Sequence, residues 1–118
     1  MKHIILSGLF LLVVLFVSVF VFDRANLYYE LPWLDIPMHI IGGFGVASLG
    51  MAVFSFSKVR ASYVKVFVFF FCIAVAWELY EYIHDLILVR EWNGWHDTIK
   101  DLVDGTLGMS LFYFFKKK

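Results

Sequence analysis

Residues 64–85, VKVFVFFFCIAVAWELYEYIHD, join an apolar run to a group of ionisable side chains. The run up to Ala76 is apolar apart from Lys65, as expected of a segment that crosses a lipid bilayer. The nine residues that follow contain three carboxylates and a histidine. Charged groups are costly within a bilayer, and they normally face the interior of a helix bundle with a partner. The stretch therefore predicts a membrane helix whose last turns face other helices.

The composition of the whole chain is that of a membrane protein. Of its 118 residues, 62% are hydrophobic and 20% aromatic, and the mean hydropathy is +0.81. Soluble domains use roughly 45–50% apolar residues. A chain of this length forms one small domain, so we expect residues 1–118 to form a single all-α integral membrane domain. The single cysteine, Cys72, excludes a disulfide within the chain.

Four apolar segments are predicted to be transmembrane helices, with approximate spans 3–22, 36–57, 62–89 and 98–115. The twenty residues of the first span cover about 30 Å at helical rise. This run is longer than the apolar region of a cleaved signal peptide, which is the alternative interpretation. In the second segment, Asp35 is predicted to cap the helix and Pro37 to lie in its first turn. The fourth segment crosses a bilayer only if Asp101 and Asp104 enter the membrane with it.

The charges are sorted between the two ends of this predicted bundle. With four spans, the termini and the loop between segments two and three share one side, which carries seven lysines and arginines and no acid. The positive-inside rule assigns that side to the cytoplasm. All ten acids lie towards the opposite side. We therefore expect a multi-pass protein of the cell membrane with both termini in the cytoplasm, in contact with membrane lipid and without a nucleic-acid partner.

Many of the acids fall on one face of their helix at 100° per residue. The faces consist of Asp35 and His39 on segment two, Glu78, Glu81 and Asp85 on segment three, and Asp97, Asp101 and Asp104 on segment four. All three faces lie at the same end of the bundle. The sequence therefore predicts a polar site between helices 2, 3 and 4 in the outer half of the bilayer.

Helix capping and salt bridges are the simpler explanations of these acids. A carboxylate near a helix N-terminus stabilises it by roughly 0.3–1 kcal/mol, but Glu78 and Asp104 lie too deep in their segments for that role. The bases nearby in sequence, Arg24, Arg90 and Lys100, are too few to neutralise the acids. Either several carboxyls are protonated, or a bound cation supplies the missing positive charge.

The residue types favour particular cations. Many carboxylates, one or two imidazoles and no thiol are typical of sites for Mg²⁺, Mn²⁺, Ca²⁺ or Zn²⁺. Glu81 and His84 form the E-x-x-H element of di-iron bundles, but it occurs once, whereas those bundles need it on two helices. His96 is interpreted as an interfacial side chain. The predicted metal ligands are Asp35, His39, Glu81, Asp85, Asp101 and Asp104.

Three motifs resemble those of known families: Asp35-x-x-x-His39-x-x-x-Gly43, Glu78-x-x-Glu81, and Asp97-x-x-x-Asp101-x-x-Asp104-x-x-x-Gly108. Over about residues 35–110 the chain resembles the YjdF-like small inner-membrane proteins, and more distantly the VanZ-like family associated with teicoplanin resistance. It departs from the VanZ-like pattern in having Asp104 in place of an asparagine, and in lacking an arginine before the last acidic group. The resemblance implies a polar site at these motifs without implying a particular reaction.

Two classes of function fit such a site. The first is a divalent-metal-dependent hydrolase or transferase acting on a lipid or lipid-linked headgroup, with metal-bound water as nucleophile and Glu78 or Glu81 as the catalytic base. The second is a non-enzymatic ion or proton pathway, or a cation-binding structural module. The cytoplasmic halves of the predicted spans contain no acid, which counts against a continuous pathway across the membrane.

Overall fold

Helices account for nearly all of residues 1–18, 31–88 and 94–117, the part of the chain that this computed structural model describes. The helices are α1 (Lys2–Phe16), α2 (Asp35–Phe56), α3 (Tyr63–Ile87) and α4 (Trp95–Lys117), and a short 3₁₀ turn, Pro32–Leu34, precedes α2. The prediction of an all-helical chain is confirmed for these residues.

Two of these helices have the length and composition of membrane spans. α2 has 22 residues and α3 has 25, which correspond to about 33 and 38 Å at helical rise. α1 is a shorter apolar helix, and residues 19–22 of the predicted first span lie outside the described part of the chain. α4 carries four charged residues in its first half, so its place in a membrane rests on how those charges are neutralised.

The start of α2 differs from the prediction. Asp35 does not cap the helix, because it is already the first helical residue and Leu34 occupies the cap position without a side-chain hydrogen bond. The 3₁₀ turn leads directly into α2, and this leaves the Asp35 carboxylate available for other contacts. Pro37 lies in the first turn as expected.

α4 begins three residues earlier than predicted, at Trp95. Gly94 precedes it with a φ of +88°, a backbone conformation that favours glycine. The carbonyl of Gly94 accepts a hydrogen bond from the amide of Thr98 at 3.3 Å. His96 and Asp97, which the sequence placed in a connection, are therefore in the first turn of α4.

α2 and α4 pack in parallel, and two glycines allow their backbones to touch. A Cβ atom built on Gly43 would overlap the backbone carbonyl of Gly105, and one built on Gly108 would overlap the carbonyl of Ile40. Small residues permit such an approach between membrane helices. Gly43 therefore lies at a close helix contact, whereas a Cβ on Gly42 would meet nothing within 4 Å.

The remaining helices pack antiparallel to their neighbours. Tyr63 of α3 and Ser110 of α4 form a hydrogen bond between their hydroxyls at 2.8 Å, and Ser7 of α1 and Ser48 of α2 form another at 2.7 Å. An apolar core fills the middle of the bundle and extends towards the end opposite the acids. It consists of Val46, Ala47, Val66, Phe70 and Met109.

Candidate functional site

Side chains from three helices meet at one end of the bundle. His39 lies in the second turn of α2, Glu78 and Glu81 lie in the last turns of α3, and Asp101 lies in the second turn of α4. One ligand atom from each of these residues falls within 4.8 Å of the others. We refer to these four residues as the central cluster.

The imidazole of His39 is held by its own helix. Its Nδ1 lies 2.9 Å from the backbone carbonyl oxygen of Asp35 and 3.2 Å from Oδ1 of the same residue. A carbonyl oxygen can only accept a hydrogen bond, so Nδ1 is assigned the hydrogen and acts as the donor. In a neutral ring, Nε2 then carries a free lone pair.

The Nε2 atom of His39 faces two acids. It lies 3.5 Å from Oδ2 of Asp101 and 3.9 Å from Oε1 of Glu78, and it is buried without a hydrogen-bond partner. A nitrogen lone pair and two carboxylates repel one another at this separation. A proton, on Nε2 or on one of the carboxyls, or a metal ion is needed between them.

Asp101 is the only charged residue classed as buried in the described ranges. Its side chain is 1% exposed, and neither of its carboxylate oxygens has a hydrogen-bond partner. Burying a carboxylate costs several kcal/mol unless charge and hydrogen bonds compensate for the lost water. This residue therefore has the strongest need of a cation or a proton.

Lys100 lies beside a second group of acids. Its Nζ is 3.1 Å from Oδ2 of Asp35, 3.5 Å from Oδ1 of Asp101 and 3.9 Å from Oδ2 of Asp104. Ligand atoms of Asp35, Asp97 and Asp101 fall within 4.8 Å of one another, and we refer to these three acids as the second cluster. Asp101 belongs to both clusters.

Glu81 is held by a neighbour on α3. The indole Nε1 of Trp77 donates a hydrogen bond to Oε1 of Glu81 at 2.9 Å. Tryptophan can only donate, so this contact favours an acceptor oxygen at Glu81 and leaves the second oxygen for another partner. The four-residue spacing of Trp77 and Glu81 is the sequence signal for this contact, which the sequence analysis did not use.

The structure places the predicted ligands in different surroundings. His39, Glu81 and Asp101 share the central cluster with Glu78, one of the two predicted catalytic bases. Asp35 is in the second cluster.

Two predicted ligands lie outside both clusters. Asp85, one turn beyond Glu81, is half-buried and belongs to neither cluster. Asp104 is close to Lys100, and its Oδ2 is buried without a hydrogen-bond partner. Their role as ligands stays a prediction.

Two residues of α4 contribute more than the sequence indicated. Asp97 was placed on the acidic face of segment four but not among the predicted ligands, and Lys100 was counted only as a nearby base. The spacing of Lys100 and Asp104 is about one helical turn, which would have indicated that they share a face. His84 stacks on Tyr80 with ring centroids 5.6 Å apart and is in neither cluster, so the E-x-x-H element does not assemble a di-iron site in the described residues.

Comparison with known proteins identifies one family. Residues 3–116 match a family described as a predicted membrane protein, DUF2238. This is the family of the YjdF-like proteins, so that resemblance is confirmed, whereas the relation to the VanZ-like family stays a prediction. No curated protein and no solved structure matches the chain.

Proposed function

Because the chain belongs to this family of predicted membrane proteins, we propose that its central cluster is a divalent-cation site in the outer half of the bilayer. The main support is the buried Nε2 of His39, which has no hydrogen-bond partner and faces the carboxylates of Asp101 and Glu78. A divalent ion beside Nε2 would be coordinated by His39 and Asp101, and its charge would remove their repulsion with Glu78.

The spacing of the donor atoms suits one ion. Two ligands that are each about 2.1 Å from a tetrahedral ion lie about 3.4 Å apart, and Nε2 of His39 lies 3.5 Å from Oδ2 of Asp101. One imidazole with the carboxylates of Glu81 and Asp101 favours Mn²⁺ or Zn²⁺ over Mg²⁺ and Ca²⁺, because the latter two prefer oxygen ligands.

The surroundings of His39 also support a metal ligand. Ligating histidines usually donate their second ring N–H to a carbonyl or carboxylate, which fixes the tautomer and the ring orientation. Asp35 supplies both acceptors, with its backbone carbonyl 2.9 Å and its Oδ1 3.2 Å from Nδ1.

The reaction we propose is hydrolysis or group transfer at a lipid or lipid-linked headgroup. A bound divalent ion makes its water a nucleophile at neutral pH and polarises a phosphoryl or carbonyl oxygen. Glu81, held by Trp77, would serve as a ligand, which leaves Glu78 as the base that takes the proton of the attacking water. His39 lies only about 6 Å along α2 from the start of that helix, which favours access from the headgroup region.

The alternative is a non-enzymatic role. The apolar core around Phe70 and Met109 lies between the clusters and the basic end of the bundle, and this counts against an ion or proton pathway. A structural cation that links α2, α3 and α4 is the stronger alternative, because the central cluster draws ligands from all three helices.

Metal analysis of detergent-purified protein tests the proposal. We expect about one Mn²⁺ or Zn²⁺ per chain, and a melting temperature that falls when a chelator removes the ion. If neither the metal content nor the melting temperature changes with chelator or with added Mg²⁺, Mn²⁺, Ca²⁺ or Zn²⁺, the cation site is refuted.

A second measurement separates the enzymatic role from the structural one. Wild type should release headgroups from phospholipid or lipid-linked substrates in a metal-dependent way, while Glu78→Gln should keep its metal and lose turnover by roughly 10²–10⁴-fold, the usual contribution of a general base. Metal-loaded wild type that turns over neither substrate class would favour the structural role.

A further inference from the structure

We propose that Asp35 and Asp101 of the second cluster, together with Asp104, form a second cation position, and that the ammonium group of Lys100 occupies it. The inference extends the proposed function, because the metal of the central cluster would then be one of two cations side by side. The second position itself rests on contacts independent of that metal.

The contacts of Lys100 are those of a cation among ligands. Oxygens from Asp35, Asp101 and Asp104 lie 3.1, 3.5 and 3.9 Å from its Nζ, and they come from two helices. An exposed lysine ion pair normally involves one acid and contributes little. Here three acids converge on one ammonium group. This arrangement is expected of a lysine that neutralises the charge of a site, and not of one that only keeps the protein surface soluble.

Asp101 joins the two positions. Its Oδ2 lies 3.5 Å from Nε2 of His39, and its Oδ1 lies 3.5 Å from Nζ of Lys100. Carboxylates that bridge two metal ions divide their oxygens in this way. The side chain is 1% exposed and neither oxygen has a hydrogen-bond partner, so Asp101 directs one buried oxygen at each position.

The lysine sets the number of metal ions that the site can hold. Two-metal sites place their ions about 3.5–4 Å apart and use both to stabilise an attacking and a leaving oxygen. An ammonium group tethered at the second position excludes a second divalent ion and supplies one positive charge in its place. The side chain of Lys100 is 40% exposed, so this charge borders the opening of the site, where an anionic headgroup would approach.

Replacing Lys100 with methionine tests the inference. Lys100→Met keeps an unbranched, flexible side chain but removes the ammonium group and its charge, which opens the second position to a metal ion. We expect wild type to bind one Mn²⁺ per chain and Lys100→Met to bind two, with the electron paramagnetic resonance spectrum showing coupling between them. Lys100→Arg keeps the positive charge and should bind one. Lys100→Met combined with Asp104→Asn removes a ligand specific to the second position and should also return to one.

The outcomes separate this inference from the proposed metal site. One ion in wild type and one in Lys100→Met would refute the second position and leave the central site standing. No ion in wild type and one in Lys100→Met would support the second position and refute the central site. Two ions in wild type, or none in either protein, would overturn the inference.

Thermal melting covers the case in which the variant is unstable. Three acids without their lysine repel one another, so Lys100→Met should melt at a lower temperature than wild type. Added Mn²⁺ should raise the melting temperature of the variant to that of wild type. A variant that stays unfolded at every Mn²⁺ concentration would contradict a second cation position.

Discussion

His39 donates from Nδ1 to the backbone carbonyl of Asp35, 2.9 Å away and one turn earlier in α2. The ring is thus oriented by a main-chain atom, and the Asp35 carboxylate reinforces this orientation at 3.2 Å. Nε2 is directed at Asp101 and Glu78 before any ion arrives. A ligand that is already oriented loses little conformational freedom when it binds.

Substitutions of His39 test the roles of its two ring nitrogens separately. His39→Asn keeps a donor near the position of Nδ1 and removes Nε2, so we expect the fold to persist and metal affinity to fall by more than the roughly 10–100-fold that loss of a supporting contact costs. His39→Gln places a polar atom near Nε2 and should bind more tightly than the asparagine variant. Calorimetric titration with Mn²⁺ measures both, and an asparagine variant that binds like wild type would exclude Nε2 as a ligand.

Asp101→Asn distinguishes a bound metal from shared protons. If a metal neutralises the cluster, the variant loses a ligand, and its melting temperature should no longer rise with added ion; at one hundred times the dissociation constant, wild type gains about 2.7 kcal/mol from the ion. If the acids are protonated, asparagine imitates the protonated acid, and stability should be unchanged or higher. Asp104→Asn repeats the comparison at the edge of the site.

Trp77→Phe should weaken metal binding without unfolding the chain. The change removes the N–H that holds Oε1 of Glu81 at 2.9 Å and keeps most of the ring. Loss of such a supporting hydrogen bond typically costs 10–100-fold in affinity. Trp33→Phe is the control, since Trp33 is 60% exposed. Equal affinities of the two variants would show that the indole does not position Glu81.

Gly43→Ala should disrupt the contact between α2 and α4. The added methyl group would overlap the backbone of Gly105, and because a backbone cannot rotate away like a side chain, we expect at least the 1–3 kcal/mol typical of overpacking. Gly42→Ala is the matched control, because its methyl group meets nothing within 4 Å and alanine favours a helix by about 1 kcal/mol over glycine. Chemical denaturation measures the stability of both variants. Similar losses of stability in the two would disprove the close contact.

Cysteine labelling tests the proposed orientation in the membrane. The exposed Cys72 is first replaced by alanine. Asn93→Cys should then react with an impermeant maleimide on intact cells, whereas Val59→Cys and a cysteine added after Lys118 should be protected. Labelling at position 59 with protection at 93 would invert the orientation.

The helices and the end of the bundle that carries the acids could be predicted from the sequence because both depend on local patterns. Long apolar segments define α2 and α3, and the 100° spacing places Asp101 and Asp104 on one face of α4. The early start of α4 was missed because Trp95, His96 and Asp97 are also typical of a loop at the membrane surface.

The assignment of each acid to a cluster depends on tertiary contacts that spacing does not encode. Asp85 shares a helical face with Glu78 and Glu81, yet it lies one turn further along α3 and belongs to neither cluster. Lys100 looked like one of three scattered bases, because only the docking of α4 on α2 brings it to 3.1 Å from Asp35.

The glycine contact between α2 and α4 has a consequence for ion selection. Gly43 and Gly105 lie one turn after His39 and Asp101, so the backbone contact fixes the distance between these two ligands as a rigid frame. α3 supplies Glu78 and Glu81 and meets α4 largely through side chains such as Phe70, whose ring lies over Gly105. An ion of larger radius would therefore have to be accommodated by movement of α3 alone. At the proposed cation site, discrimination between ions of different size would thereby be a property of the packing of one helix, and enlarging or trimming Phe70 should change the preferred ionic radius without altering a single ligand.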